Sequence, residues 1–89
     1  MTPLQIVKKL NKMLVKRYSR DFIDNVSFTY ITNGYTEVIK FNGDEIWNNI
    51  NCPMPTMLSI IEETNDRMVD YNLVGEFLTT VELGDEDEQ

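Results

Sequence analysis

The sequence predicts an α+β domain: a helix, a three-stranded antiparallel meander, a second helix, then a short C-terminal strand or helix and a disordered acidic tail. Three observations carry this. A helical apolar stripe runs through the first twenty residues. Two Asn-Gly dipeptides, Asn33-Gly34 and Asn42-Gly43, sit between stretches of high β propensity. A second helical pattern follows the proline-rich Cys52-Pro53-Met54-Pro55.

The first helix starts at Thr2-Pro3-Leu4-Gln5, with Thr2 as N-cap, Pro3 at the first helical position and Gln5 placed to return a capping-box bond. Leu4, Val7, Leu10, Leu14 and Tyr18 form its stripe, bordered by Ile6 and Met13. The opposite arc carries Gln5, Lys8, Lys9, Lys12, Lys16 and Arg20, so the wet face is basic.

Type I′ turns need positive φ at both central residues, which Asn and Gly tolerate best, so both Asn-Gly pairs predict two-residue hairpins. That geometry sets Thr32 opposite Tyr35, Phe28 opposite Ile39, Phe41 opposite Asp44, and Ile39 opposite Ile46. One face then holds Val26, Phe28, Tyr30, Tyr35, Ile39, Phe41, Ile46 and Ile50, interrupted mainly by Glu37, Asp44 and Asn48. The reverse face holds Ile31, Val38 and Trp47 among polar neighbours, with Lys40 opposite Glu45 and Val38 opposite Trp47.

Beyond the stiff proline pair, Thr56 caps a second helix to about Tyr71. Its dry side is Met57, Leu58, Ile60, Ile61, Met68, Val69 and Tyr71. Its wet side is Ser59, Glu62, Glu63, Asp66 and Asp70, with Glu63 and Arg67 spaced for an ion pair. Glu76 to Leu83 fits a strand or a helix, and Gly75 with Thr79-Thr80-Val81 favours the strand. Residues 1–84 are expected to form one domain and 85–89 a solvated tail without an apolar anchor.

In element order, residues 3 to 71 are similar in topology to the double-stranded-RNA-binding domain. That family reaches RNA through a His-containing loop between its first two strands and a Lys-rich start to its second helix. Here Thr32-Asn33-Gly34-Tyr35 lacks histidine and Met57 to Glu63 lacks a cation, so no RNA-binding residue carries over.

Composition narrows the function classes. Six of the eight basic residues precede Asp21, while all fifteen acidic residues lie from Asp21 onward, giving a basic helix on an acidic body of net charge −7. The basic start resembles an organelle presequence, but cations interrupt its apolar residues too regularly for a secretory signal, and the helix is needed for the core. A single cysteine, Cys52, rules out an internal disulfide, and a cytoplasmic location without a membrane span is the expectation. The chain has no histidine, no Gly-rich phosphate loop and no metal-ligand spacing, so the reading is a non-enzyme without cofactor or metal. Absent alanine and abundant Asn, Ile and Lys mark a low-GC coding bias, which suits a low-GC bacterium or its phages and other mobile elements.

The expected role is that of a small acidic binding or regulatory protein, modulating a host protein by direct contact or nucleic-acid mimicry. The candidate surfaces are the Trp47, Val38 and Ile31 patch, with a homodimer through the same face as a further expectation, and the carboxylate ridge Glu62, Asp66 and Asp70. The alternative is a nucleic-acid-binding accessory protein using Lys8, Lys9, Lys12, Lys16 and Arg20 against phosphates, which the net negative charge disfavours at long range.

Overall fold

A computed structural model describes residues 1–17 and 27–70. Its elements are α1 (Pro3–Arg17), β1 (Phe28–Thr32), β2 (Glu37–Phe41), β3 (Asp44–Asn48) and α2 (Met57–Asp70), the α+β order expected from the sequence. The chain divides into two compact units, Met1–Pro55 and Thr56–Gln89. Tyr18, Val26, Arg20, Glu76 to Leu83 and the acidic tail lie outside the described residues.

In the first unit, the capping box forms as its residues dictate. Gln5 N donates to Thr2 Oγ1 (3.2 Å) and Thr2 N to Gln5 Oε1 (2.8 Å), satisfying backbone donors that the first helical turn leaves over. The buried side of α1 comprises Ile6, Val7, Leu10, Met13 and Leu14, whereas Leu4 is exposed. Ile6 and Met13, expected at the border of the stripe, are thus within it, and Leu4 is outside. The helix packs on β1 and more sparsely on β2.

The sheet order is β1-β2-β3, antiparallel throughout. Its core face places Phe28 opposite Phe41 with ring centroids 5.1 Å apart, and Ile39 is fully buried beside them. Asn42 at φ 53° and Gly43 at φ 85° make the expected two-residue turn, and Phe41 opposite Asp44 with Lys40 opposite Glu45 follow from it.

The other hairpin differs. Asn33 N donates to Thr36 O (3.3 Å), and Thr32 stands opposite Glu37, so the loop holds four residues and the register lies two residues from the expected one. Side-chain bonds explain the longer loop. Asn33 Oδ1 accepts from Tyr35 N (2.9 Å), Thr36 N (2.8 Å) and Thr36 Oγ1 (3.1 Å), while Thr32 Oγ1 accepts from Gly34 N (3.1 Å). An Asx turn of this kind competes with the tight turn that Asn-Gly alone favours. A shift of two keeps every β1 side chain on its expected face, but Tyr35 leaves the core and is 89% exposed.

A bulge makes the second correction. Lys40 pairs with Glu45 but Ile39 pairs with Trp47, so Ile46 is an additional residue in β3 and the remainder of the strand is inverted. Trp47 therefore shares the face of Ile39 and is 5% exposed, and Val38 stands opposite Asn48 rather than Trp47. Its indole N–H donates to Pro53 O at 2.8 Å, so the polar handle of the ring is satisfied as it is buried. Ile50, expected on the core face, is 69% exposed in the turn that follows.

That turn is held by two asparagines. Asn48 Oδ1 accepts from Ile50 N (3.1 Å) and Asn51 N (2.7 Å). Asn49 receives Glu37 N on Oδ1 (2.9 Å) and donates Nδ2 to Tyr35 O (3.1 Å), which fastens the end of β3 to the start of β2.

In the second unit, Ser59 N donates to Thr56 Oγ1 (3.0 Å) and Thr56 N to Ser59 Oγ (3.0 Å), confirming Thr56 as the N-cap. Met57, Ile60, Ile61, Thr64 and Met68 are buried. Leu58, expected on the dry side, is exposed. Thr64 takes a buried place because its hydroxyl donates to Ile60 O (2.6 Å), leaving no unsatisfied donor. Arg67 and Glu63 form the expected i,i+4 pair at 3.4 Å.

Trp47→Ala is expected to cost about 3 to 5 kcal/mol of stability, as for other large buried side chains. Chemical denaturation measures it, and a variant as stable as the parent would contradict the bulged register.

Candidate protein-binding edge

The expected apolar patch survives only in part. Ile31 and Val38 do stand opposite each other on the reverse face, with Thr29, Lys40 and Glu45 around them; Ile31 is 45% exposed and Val38 half-buried. Trp47 is not with them. Its burial removes it as an exposed anchor and leaves an aliphatic pair at the centre of that face.

Glu62 and Asp66 are exposed on α2, and Asp70 is its last residue. Among the described residues, no group of three His, Cys, Asp or Glu side chains converges as a metal ion would require. On α1, Lys8, Lys12 and Lys16 are exposed along one ridge, and Lys9 is half-buried. Lys9 and Lys16 each engage a partner, so this ridge is not composed wholly of unpaired cations. Arg20 lies outside the described residues.

The backbone of β1 supplies a feature that side-chain patterning did not. Asn42 N donates to Ser27 O (3.1 Å) and Asn33 N to Thr36 O, while Thr29 pairs with Lys40 and Ile31 with Val38 between them. In an antiparallel ladder, hydrogen-bonding direction alternates along the strand. Ser27, Thr29, Ile31 and Asn33 therefore turn their peptide groups toward β2, and Phe28, Tyr30 and Thr32 turn theirs outward.

At Phe28 the outward groups are occupied by a side chain. Phe28 N donates to Asn11 Oδ1 (3.0 Å) and Asn11 Nδ2 donates to Phe28 O (3.1 Å). The Asn11 amide thus stands where the peptide of a neighbouring strand would stand. No described residue bonds the outward peptide groups of Tyr30 or Thr32.

The β1 sequence also lacks the charges and proline that discourage strand addition: Phe28-Thr29-Tyr30-Ile31-Thr32 contains neither. Sequence reasoning missed Asn11, whose one signal was a short amide between Leu10 and Leu14 at the margin of the apolar stripe.

Beside the edge, the Tyr30 hydroxyl donates to Glu37 Oε2 at 2.7 Å. This bond, followed by burial, raises the phenol pKa above its ordinary 10.0, because deprotonation would remove the donor and set two negative charges together.

Two outcomes follow. Asn11→Ala strands two part-buried peptide groups and should lower stability by about 1 to 3 kcal/mol, so an unchanged melting temperature would contradict the edge contact. Ultraviolet titration should place Tyr30 above 10.0 and Glu37→Gln should bring it back down. The neutral phenol's stabilisation is full below the unfolded value and is lost as pH rises through the folded one. A Tyr30 titration unaffected by Glu37→Gln would contradict the pairing.

No protein-family model matches this chain, and no curated protein or solved structure is significantly similar to it.

Proposed function

We propose that this chain is a small acidic binding protein, encoded by a phage or mobile element, that modulates a host protein by taking one of its extended segments along β1. The observation that supports this most is the pair of outward peptide groups at Tyr30 and Thr32 on an uncharged, uninterrupted edge. An added strand would satisfy both residues through backbone bonds, with alternate side chains giving specificity. Ile31, between them, would be covered from the reverse face together with Val38.

Charge selects the partner. A net charge of −7, with Glu62 and Asp66 exposed and Asp70 beside them in sequence, attracts a basic protein at long range, while the neutral edge imposes no charged contact where the strands meet. Binding rather than catalysis is the action this supports. The chain contains no histidine, and Cys52, half-buried, has no base within its own sequence motif.

Ile31→Lys places a cation on the edge and in the face of a basic partner. Ile31 is exposed, so stability should change by no more than about 0.5 kcal/mol. Affinity capture from the host lysate should yield a basic protein in stoichiometric amount with the parent chain and lose it with Ile31→Lys. Retention by Ile31→Lys with loss on neutralising Glu62 and Asp66 would overturn the edge in favour of charge mimicry. Nuclease-sensitive capture lost with a Lys8, Lys12, Lys16 to Gln variant would overturn it in favour of nucleic-acid binding. A dimer of the chain itself that Ile31→Lys dissociates would make the occupant a second copy.

A further inference from the structure

The two Asn-Gly dipeptides are equivalent in sequence and unlike in structure. An asparagine followed by glycine is open to a spontaneous reaction in which the next peptide nitrogen attacks the side-chain amide, because glycine offers no side chain to hinder the approach. Both glycines here have open space where a Cβ would be, with no atom within 4 Å, so steric access does not separate them. Hydrogen bonding does.

At Asn33, both the amide oxygen and the nucleophile are held. Its Oδ1 accepts three bonds, from Tyr35 N, Thr36 N and Thr36 Oγ1, and Gly34 N, which would be the nucleophile, donates to Thr32 Oγ1. At Asn42 the backbone N donates to Ser27 O, but among the described residues nothing bonds the side-chain amide or Gly43 N, and both residues are exposed.

We infer that Asn42-Gly43 is a site of spontaneous modification in the folded protein and that Asn33-Gly34 is protected. Water or hydroxide takes the proton of Gly43 N, the nitrogen forms a bond to Asn42 Cγ, and the Cγ–Nδ2 bond breaks with release of ammonia. Water then opens the resulting succinimide at either carbonyl, leaving an aspartyl or an isoaspartyl residue at position 42. No electron is gained or lost, and water is the sole co-reactant. Either product adds one negative charge to the chain's −7. The isoaspartyl product also inserts a methylene into the backbone of the two-residue turn that sets the β2-β3 register, so modification acts on the sheet as well as on charge.

Folded protein incubated at mildly alkaline pH and digested with trypsin gives the test, since cleavage after Lys40 puts the two sites on different peptides. The Asn42 peptide should acquire the modification several-fold faster than the Asn33 peptide. In urea the two rates should converge, because the turn bonds are gone. Thr32→Val, at an exposed position, frees Gly34 N and should speed modification at Asn33 in the folded state. Equal native rates, a faster Asn33, or no response to Thr32→Val would each overturn the inference.

Discussion

The contact on which the rest of the first unit depends is that of Asn11 with the peptide of Phe28. It joins the middle of α1, whose Leu10 and Leu14 are fully buried, to the first residue of β1, in the sheet that buries Phe28, Ile39 and Phe41. The contact is part-buried, and there the loss of either partner strands polar groups away from water. It also bounds the open edge. Asn11 occupies the outward peptide groups of Phe28, whereas those of Tyr30 and Thr32 have no partner among the described residues.

The β3 bulge has the complementary effect on the two faces of the sheet. An unbulged β3 would put Trp47 beside Ile31 and Val38, a large apolar patch on the outside, and would leave Ile46 to fill its place inside. The added residue turns the larger ring inward, where it is buried with its N–H on Pro53 O, and the reverse face keeps the aliphatic pair Ile31 and Val38. The bulge thereby removes the one large aromatic side chain from the exposed apolar surface of that face.

How much of this was legible in the sequence depended on whether local chemistry or long-range packing decided the outcome. Thr2 and Gln5, Thr56, Asn42-Gly43 and the Glu63 and Arg67 pair act over three or four residues, and each took its expected place. Asn33-Gly34 carries the same dipeptide as Asn42-Gly43, but its flanking threonines supply hydroxyls that stabilise a wider loop, a competition that propensity alone does not rank. The bulge at Ile46 leaves no mark on the sequence, since Ile and Trp are both apolar and both fit a strand; only the packing of the whole face selects which is buried. The candidate site followed the same division. Ile31 and Val38 take the face that alternation predicts, Trp47 lies on the opposite face by one residue of register, and the edge itself is invisible because peptide groups carry no sequence signal.

Amide hydrogen exchange along β1 tests the open edge most directly. In the free chain, Thr29 and Ile31 should exchange slowly, since their peptide groups face β2, and Tyr30 and Thr32 should exchange fast. On addition of the captured partner, Tyr30 and Thr32 should become protected while Thr29 and Ile31 change little. Slow exchange at Tyr30 and Thr32 in the free monomer would show that the edge is already occupied, and fast exchange there in the complex would show that the partner binds elsewhere; either result would contradict the account.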